Sequence, residues 1–162
     1  MKMFLKPLLR VLKRFFQVNF TSDEGNTLPK VLLETEFVSR FCFKRDFHGE
    51  TGNPKGHVFL PEFYQQKYET SVCRKTNITE ERIWEISEIV EKLREKEVTG
   101  RADLGVSVVL EKGLTAEAAP DTYPEHTIII GWTADEEETA KAKRKSIALE
   151  LAYGARSVKL PN

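Results

Sequence analysis

Apolar residues form one unbroken run in the last third of the chain, where His126 to Trp132 reads His-Thr-Ile-Ile-Ile-Gly-Trp. Three consecutive isoleucines are branched at Cβ, which favours a strand and disfavours a helix. A run without polar alternation indicates a strand that is covered on both faces. We therefore predict an interior strand with His126 at its entrance, and the other elements are arranged around it.

Alternation of apolar and polar residues predicts further strands. The longest spans residues 31–43, where Phe37 and Phe41 share one face and Val38 and Cys42 share the other. Shorter strands are predicted at residues 57–61, 69–74 and 114–118, and a terminal edge strand at 157–160. Residues 44–56 are predicted to form a long loop, which is more often functional than a short one. Residues 62–68 are predicted to be an exposed turn.

Helical spacing predicts two principal helices. Residues 80–97 carry an apolar stripe, and Asn77 or Thr79 is suited to cap its start. The last helix is expected to begin after a cap at Thr133 or Asp135 and to bury its alanines against a sheet. Residues 104–112 are ambiguous, and a cap at Asp103 with a stop at Gly113 favours a short helix.

These elements predict an α+β fold with a mainly antiparallel sheet packed by two principal helices. Residues 31–162 are predicted to form a single domain, because 162 residues correspond to one domain. Residues 21–30 are rich in turn-forming residues and are interpreted as a linker. Residues 1–20 are predicted to form an appended basic amphipathic helix.

The N-terminal segment combines basic and apolar side chains at near-helical spacing. Candidate partner-binding residues are Lys6, Arg10, Lys13, Arg14, Leu8, Leu12, Phe15 and Phe16. Three interpretations stay open: a helix packed on its own domain, a docking helix for another protein, or a contact to phosphate or anionic lipid.

Charge and composition exclude some classes of protein. Lys plus Arg and Asp plus Glu are both 25, so no overall basic field favours nucleic acid. No apolar run is long enough for a transmembrane helix, and no convincing signal peptide is present. The two cysteines, Cys42 and Cys73, lie in predicted strands and are expected to be buried thiols, although a disulfide is open if those strands are neighbours. We therefore expect a cytoplasmic protein.

No catalytic or nucleotide-binding motif occurs in the sequence. His57 and His126 both open predicted strands, so with Arg40 and Arg74 they are the candidates for one polar pocket. A histidine there would act as acid or base, and an arginine would hold a phosphate. A structural role for these side chains is the competing interpretation. No metal site is predicted because the histidines lack ligand spacing, and no cofactor is expected. Arg101 and Asp103 are expected to pair or to cap the next helix.

An ordered series of short motifs carries a resemblance. The series is Phe59-Leu-Pro, Ser71-Val-Cys-Arg74, Ile83-Trp84, Arg101-Ala-Asp103, Gly113-Leu114, His126 with Ile128 and Gly131-Trp132, and the alanine-rich last helix. Over about residues 36–161 the chain resembles a set of short uncharacterised prokaryotic proteins with no known activity. The resemblance implies a single-domain cytoplasmic protein that is an accessory member of a multi-gene system, such as phage defence or toxin control.

Two functions follow from these expectations. The first is a non-enzymatic accessory protein that binds another protein through residues 1–20 and the loop 44–56. The alternative is an enzyme that acts on a nucleotide or nucleic-acid phosphate through the Arg/His pocket. Direct binding of nucleic acid by the N-terminal helix is a weaker option, and it predicts a steep dependence of affinity on salt.

Overall fold

The computed structural model describes residues 28–161. Its strands are β1 (Phe37–Phe43), β2 (Glu62–Tyr64), β3 (Lys67–Arg74), β4 (Val98–Gly105), β5 (Thr115–Ala118), β6 (His126–Ile130) and β7 (Arg156–Lys159). Its α-helices are α1 (Glu80–Arg94), α2 (Val106–Glu111) and α3 (Glu138–Gly154), and a 3-10 helix spans Gly56–Phe59. The predicted N-terminal helix lies outside the described residues.

The strands form one antiparallel sheet in the order β5-β6-β3-β1-β4-β7, with β2 paired to β3. The prediction of an α+β fold with a mainly antiparallel sheet is thus confirmed. The isoleucine-rich strand β6 lies between β5 and β3, and Ile129 is fully buried. Its interior position is also as predicted.

Helices cover both faces of the sheet. On the first face, residues of α2, α3 and the 3-10 helix pack on Val38, Val72 and Ile129. On the second face, α1 places Ile83 and Ile86 on Phe41 and Cys73. Cys42 belongs to the first cluster and Cys73 to the second, so the sheet separates the two thiols even though β1 and β3 are neighbours.

Both cysteines are free and fully buried, as predicted for structural thiols. Burial raises the pKa of each thiol to about 12. Neither is therefore a reactive thiolate near neutral pH.

Strand β4 was not predicted, and the prediction of Asp103 as a helix cap is wrong. Asp103 lies inside β4, and the N-cap of α2 is Gly105. The stretch has low strand propensity, since it contains two glycines and two charged residues. It forms because β1 and β7 flank it, and because Gly100 leaves room where a Cβ would lie 2.7 Å from the carbonyl oxygen of Val158.

Two other local predictions are wrong. Residues 57–61 do not form a strand, because Gly56–Phe59 turns into a 3-10 helix that buries Val58 and Phe59 against the first face. The exposed turn at 62–68 is instead strand β2 and the tight turn at Gln65–Gln66, a hairpin with β3. Both turn residues have positive φ, 46° and 64°, which matches a two-residue hairpin turn.

The helix starts also differ in part from expectation. Thr79 caps α1 as predicted, since its side chain accepts from the backbone N–H of Arg82. Neither Thr133 nor Asp135 caps α3, which begins after Glu137 without a side-chain cap. The segment that leads into α3 is instead fixed by the buried Arg144, because its guanidinium donates to the backbone carbonyls of Thr133 and Asp135.

Candidate functional site

His126 and Ser71 form a hydrogen-bonded pair on the second face of the sheet. His126 Nε2 lies 2.8 Å from Ser71 Oγ, and His126 Nδ1 lies 2.7 Å from the carbonyl oxygen of Ala119. A carbonyl oxygen only accepts, so Nδ1 carries the proton and the unprotonated Nε2 accepts from the serine hydroxyl. The ring is therefore held in one tautomer, with its basic nitrogen on a hydroxyl.

The environment keeps this imidazole neutral. Burial lowers the pKa of His126 below its ordinary value of 6.5, and this outweighs the Ala119 hydrogen bond and the nearby carboxylates of Glu69 and Asp121. The buried ring of Tyr123 lies 5.3 Å from the imidazole, centroid to centroid. A neutral histidine beside a hydroxyl has the arrangement of a general base beside a nucleophile.

Arg40 reaches the same serine from the neighbouring strand. The β1–β3 ladder consists of the pairs Val38–Arg74 and Ser39–Cys73, so Arg40 lies just where it stops. Arg40 Nη1 donates to the carbonyl oxygen of Ser71 at 2.5 Å, and Nε donates to that of Val58 at 3.1 Å. Burial lowers its pKa. Arg40 thus contacts the backbone carbonyl of Ser71, and His126 contacts its hydroxyl. We call Ser71, His126, Arg40 and Tyr123 the Ser71 cluster.

Arg74 is committed to a buried ion pair. Its Nε and Nη2 each lie 2.8 Å from a carboxylate oxygen of Glu36, and Nη1 donates to the carbonyl of Pro29. Both side chains are 6% exposed. Burial acts to raise the pKa of Glu36, but hydrogen bonds from Thr76, Leu33 and Arg74 lower it overall. The two ends of this pair satisfy each other.

The four candidate residues do not share one pocket. Cys73 pairs with His126, so His126 is on the second face, whereas Arg74 follows Cys73 along β3 and is on the first. Arg74 and His126 both line a groove of about 470 Å³ at the end of these strands. The guanidinium of Arg74, however, is paired with the carboxylate of Glu36. His57 lies in the 3-10 helix, half exposed, with Nε2 2.9 Å from Asp46.

A second polar cluster joins β1, β4 and α1. Asp103 accepts from Ser39 at 2.5 Å, from Lys75 at 2.6 Å and from Arg101 at 2.9 Å. The buried Arg101 also contacts Glu80 and lies 4.7 Å from the ring of Trp84. The predicted pairing of Arg101 with Asp103 is confirmed. Burial raises the pKa of Asp103, but the donors Arg101, Lys75 and Ser39 lower it overall.

A groove on the first face runs between the loop 44–56 and helix α3. It has a volume of about 580 Å³ and is lined by His48, Gly49, Glu50, Thr51, Asn53, Pro54, Lys55, Leu149, Ala152 and Tyr153. Tyr153 is 79% exposed and Leu149 is 44% exposed. We call this surface the loop–helix groove. In this groove the apolar side chains of α3 lie beside the loop that was predicted to be functional.

Two further properties concern residues 28–161. Within them, no group of three or more His, Cys, Asp or Glu side chains is arranged to hold a metal ion. No helix in that part of the chain is both long and apolar enough to cross a membrane. The N-terminal partner-binding candidates, Lys6 to Phe16, lie outside the described residues.

Comparison with known proteins gave no match: no family model, no curated protein and no solved structure is detectably similar to this chain.

Sequence reasoning singled out His126 and Arg40 but not Ser71, the residue that both contact. Ser71 was placed correctly on a strand, yet a serine within a strand carries no sign of its neighbour. The partner comes from 55 residues further along the chain, through the antiparallel pairing of β3 with β6. Strand order was the missing information.

Proposed function

We propose that this chain is a cytoplasmic accessory protein that binds another protein within a prokaryotic multi-protein system, such as phage defence or toxin control. The observation that supports this function best is the loop–helix groove. Its exposed aromatic and aliphatic side chains lie on a rigid helix beside a loop, an arrangement typical of interaction sites.

Tyr153 and Leu149 are the anchors of this surface. They are four residues apart on α3, so they lie on one side of the helix. Their inward neighbours Ala148 and Ala152 are buried against the sheet, which fixes the position of the helix. A large amphipathic side chain held on a fixed backbone contributes binding energy at low entropic cost.

The charges beside the groove indicate the chemistry of the partner segment. Lys44, Arg45 and Lys55 belong to the loop, whereas Asp46 is occupied by the backbone N–H of Phe43 and by His57. Glu50 and Lys55 balance each other in the groove lining, and the loop as a whole carries an excess of one positive charge, from Lys44, Arg45 and Lys55 against Asp46 and Glu50. We propose that the groove takes an acidic segment that carries one apolar or aromatic side chain. In this proposal the basic N-terminal residues, with Lys6, Arg10, Lys13 and Arg14, supply a second contact.

The test is co-purification with matched variants from the native host. We expect Leu149→Ser and Tyr153→Ser to reduce recovery of a specific partner at least about tenfold. Tyr64→Ser is the control, since Tyr64 is also exposed, at 46%, but lies on the β2 hairpin. The partner is then purified and titrated against the same variants. Equal affinity for all of them rejects the groove.

The N-terminal contact is tested separately by comparing the full chain with residues 21–162. Equal recovery of the partner by both forms rejects a role for the N-terminal segment. Affinity that falls steeply with added salt, and recovery of nucleic acid in place of a protein, would contradict partner binding in favour of phosphate contacts.

The alternative function, an enzyme acting on phosphate through an Arg/His pocket, receives no support from the geometry. Arg74 is neutralised by Glu36, and Arg40 is bonded to two backbone carbonyls. Neither guanidinium presents a free fork to a phosphate.

A further inference from the structure

We propose that Ser71 and His126 form a nucleophile–base pair that hydrolyses a neutral acyl ester, a function separate from partner binding. Three observations carry this inference: the 2.8 Å contact between Ser71 Oγ and His126 Nε2, the fixed tautomer of the imidazole, and the partial exposure of both residues.

The Ala119 carbonyl performs the orienting role that such a pair requires. Its 2.7 Å contact with Nδ1 fixes the ring and stabilises the imidazolium that forms when Nε2 takes a proton. Tyr123 packs against the ring from the side, which restricts its rotation. The acceptor nitrogen therefore stays on the serine hydroxyl.

The surroundings select the class of substrate. Glu69 and Asp121 place negative charge near His126, whereas the positive charge of Arg40 is offset by Glu62 at 3.6 Å. Carboxylates in this position repel an anionic phosphate. Ile128 pairs with Ser71 across the sheet and is 8% exposed, so its side chain makes the immediate surroundings of the serine apolar, which suits an uncharged substrate. A neutral ester fits both conditions.

The reaction balances with water as the only co-reactant. Ser71 Oγ bonds to the ester carbonyl carbon while its proton passes to His126 Nε2. The tetrahedral intermediate collapses, the carbon–oxygen bond to the alcohol breaks, and the alcohol takes the proton from Nε2. Water then attacks the acyl-serine with the same base, which releases the carboxylic acid and restores Ser71.

The first test is covalent labelling of the full chain with a fluorophosphonate, in which Ser71 Oγ bonds to phosphorus and fluoride leaves. We expect one label, located on Ser71 by peptide mass spectrometry, and a labelling rate at least about 100-fold lower in His126→Gln, since a positioned base contributes that much. Ser146→Ala, a change at an exposed serine of α3, is the control and should label at the wild-type rate. Hydrolysis of p-nitrophenyl butyrate should follow the same order. Labelling that survives in Ser71→Ala would overturn the proposal.

A second test does not depend on the reactivity of the serine. In Ser71→Cys, proximity to His126 should place the alkylation pKa of the new thiol clearly below the ordinary value of about 8.5. The native thiols are silent in this assay, because both are fully buried with a pKa of about 12. Combining Ser71→Cys with His126→Gln should return the alkylation pKa to about 8.5 or above. An alkylation pKa that is the same with and without the His126→Gln change would contradict a base at this position.

Discussion

At the scale of single residues, several buried or half-buried polar groups of the described domain are each matched to one partner or a few. Arg74 is matched to Glu36, Asp103 to three donors, and His126 to Ser71 and Ala119. Buried polar groups cost free energy unless they are hydrogen-bonded, so each set behaves as a unit. Changing one member alone should therefore cost more than changing the whole set.

The Arg74–Glu36 pair gives a direct test. Removing only the carboxylate with Glu36→Leu leaves a buried guanidinium without its partner and should lower the free energy of unfolding by about 3–5 kcal/mol. The double change Glu36→Leu with Arg74→Met should recover most of that loss. Urea unfolding of the three forms measures both. A double variant no more stable than Glu36→Leu would show that the pair is not an isolated unit.

His126 makes stability depend on pH in a defined direction. Because its pKa is lowered in the folded chain, the unfolded chain binds a proton first as pH falls through 6.5. The free energy of unfolding attributable to this residue should be intact above pH 6.5 and decline from there down to the folded pKa. His126→Gln should remove this component in urea unfolding at a series of pH values. An identical pH slope in wild type and variant would refute the assignment.

At the scale of elements, the sequence pattern predicted the strands and helices that form from local residue preferences. It missed those that form because of the neighbouring elements they pack against. The isoleucine strand was predictable from its unbroken run of β-branched residues, and helix α1 from the helical spacing of its apolar stripe. Strand β4 (Val98–Gly105) was not, because its residues have low strand propensity and lie between β1 and β7, where Asp103 accepts from Arg101 and Lys75. The 3-10 helix was mistaken for a strand because it buries the adjacent residues Val58 and Phe59. A short apolar run of this kind is found in buried strands and in short helices alike.

The β2–β3 hairpin should be open to stabilisation. Gln65 and Gln66 both have positive φ, a conformation that costs free energy in residues other than glycine, asparagine and aspartate. Replacing them by Asn-Gly should raise the free energy of unfolding by about 0.5–1 kcal/mol, because those residues adopt the turn without strain. Thermal unfolding measures the change. A decrease in stability would indicate that the glutamine side chains contribute contacts outweighing the strain.

At the scale of the whole molecule, the two faces of the sheet separate two surfaces. The loop–helix groove is on the first face, and the side chains of Ser71 and His126 are on the second. Variants of the groove should therefore leave ester hydrolysis unchanged, and variants of Ser71 should leave partner binding unchanged, since distant sites act independently. Testing both sets of variants in both assays checks this. Loss of both activities in one variant that remains folded would contradict the separation.

The organisation of the whole chain was predicted only in part. The sheet and its covering helices were expected, but strand order was not, and strand order brings Ser71 and Arg40 to His126. The domain limits at residues 21–30 and the role of residues 1–20 stay predictions, since the structure describes the chain from residue 28.

Interior strand β6 holds His126 as a neutral base on Ser71, and the other statements about this site depend on that arrangement. Long-range proton–nitrogen NMR of the histidine rings at pH 7 tests it most directly, because nitrogen shifts report which ring atom carries the proton. We expect that His126 has its proton on Nδ1 and that the Nε2 shift changes in Ser71→Ala. A proton on Nε2, or an imidazolium at pH 7, would contradict the account.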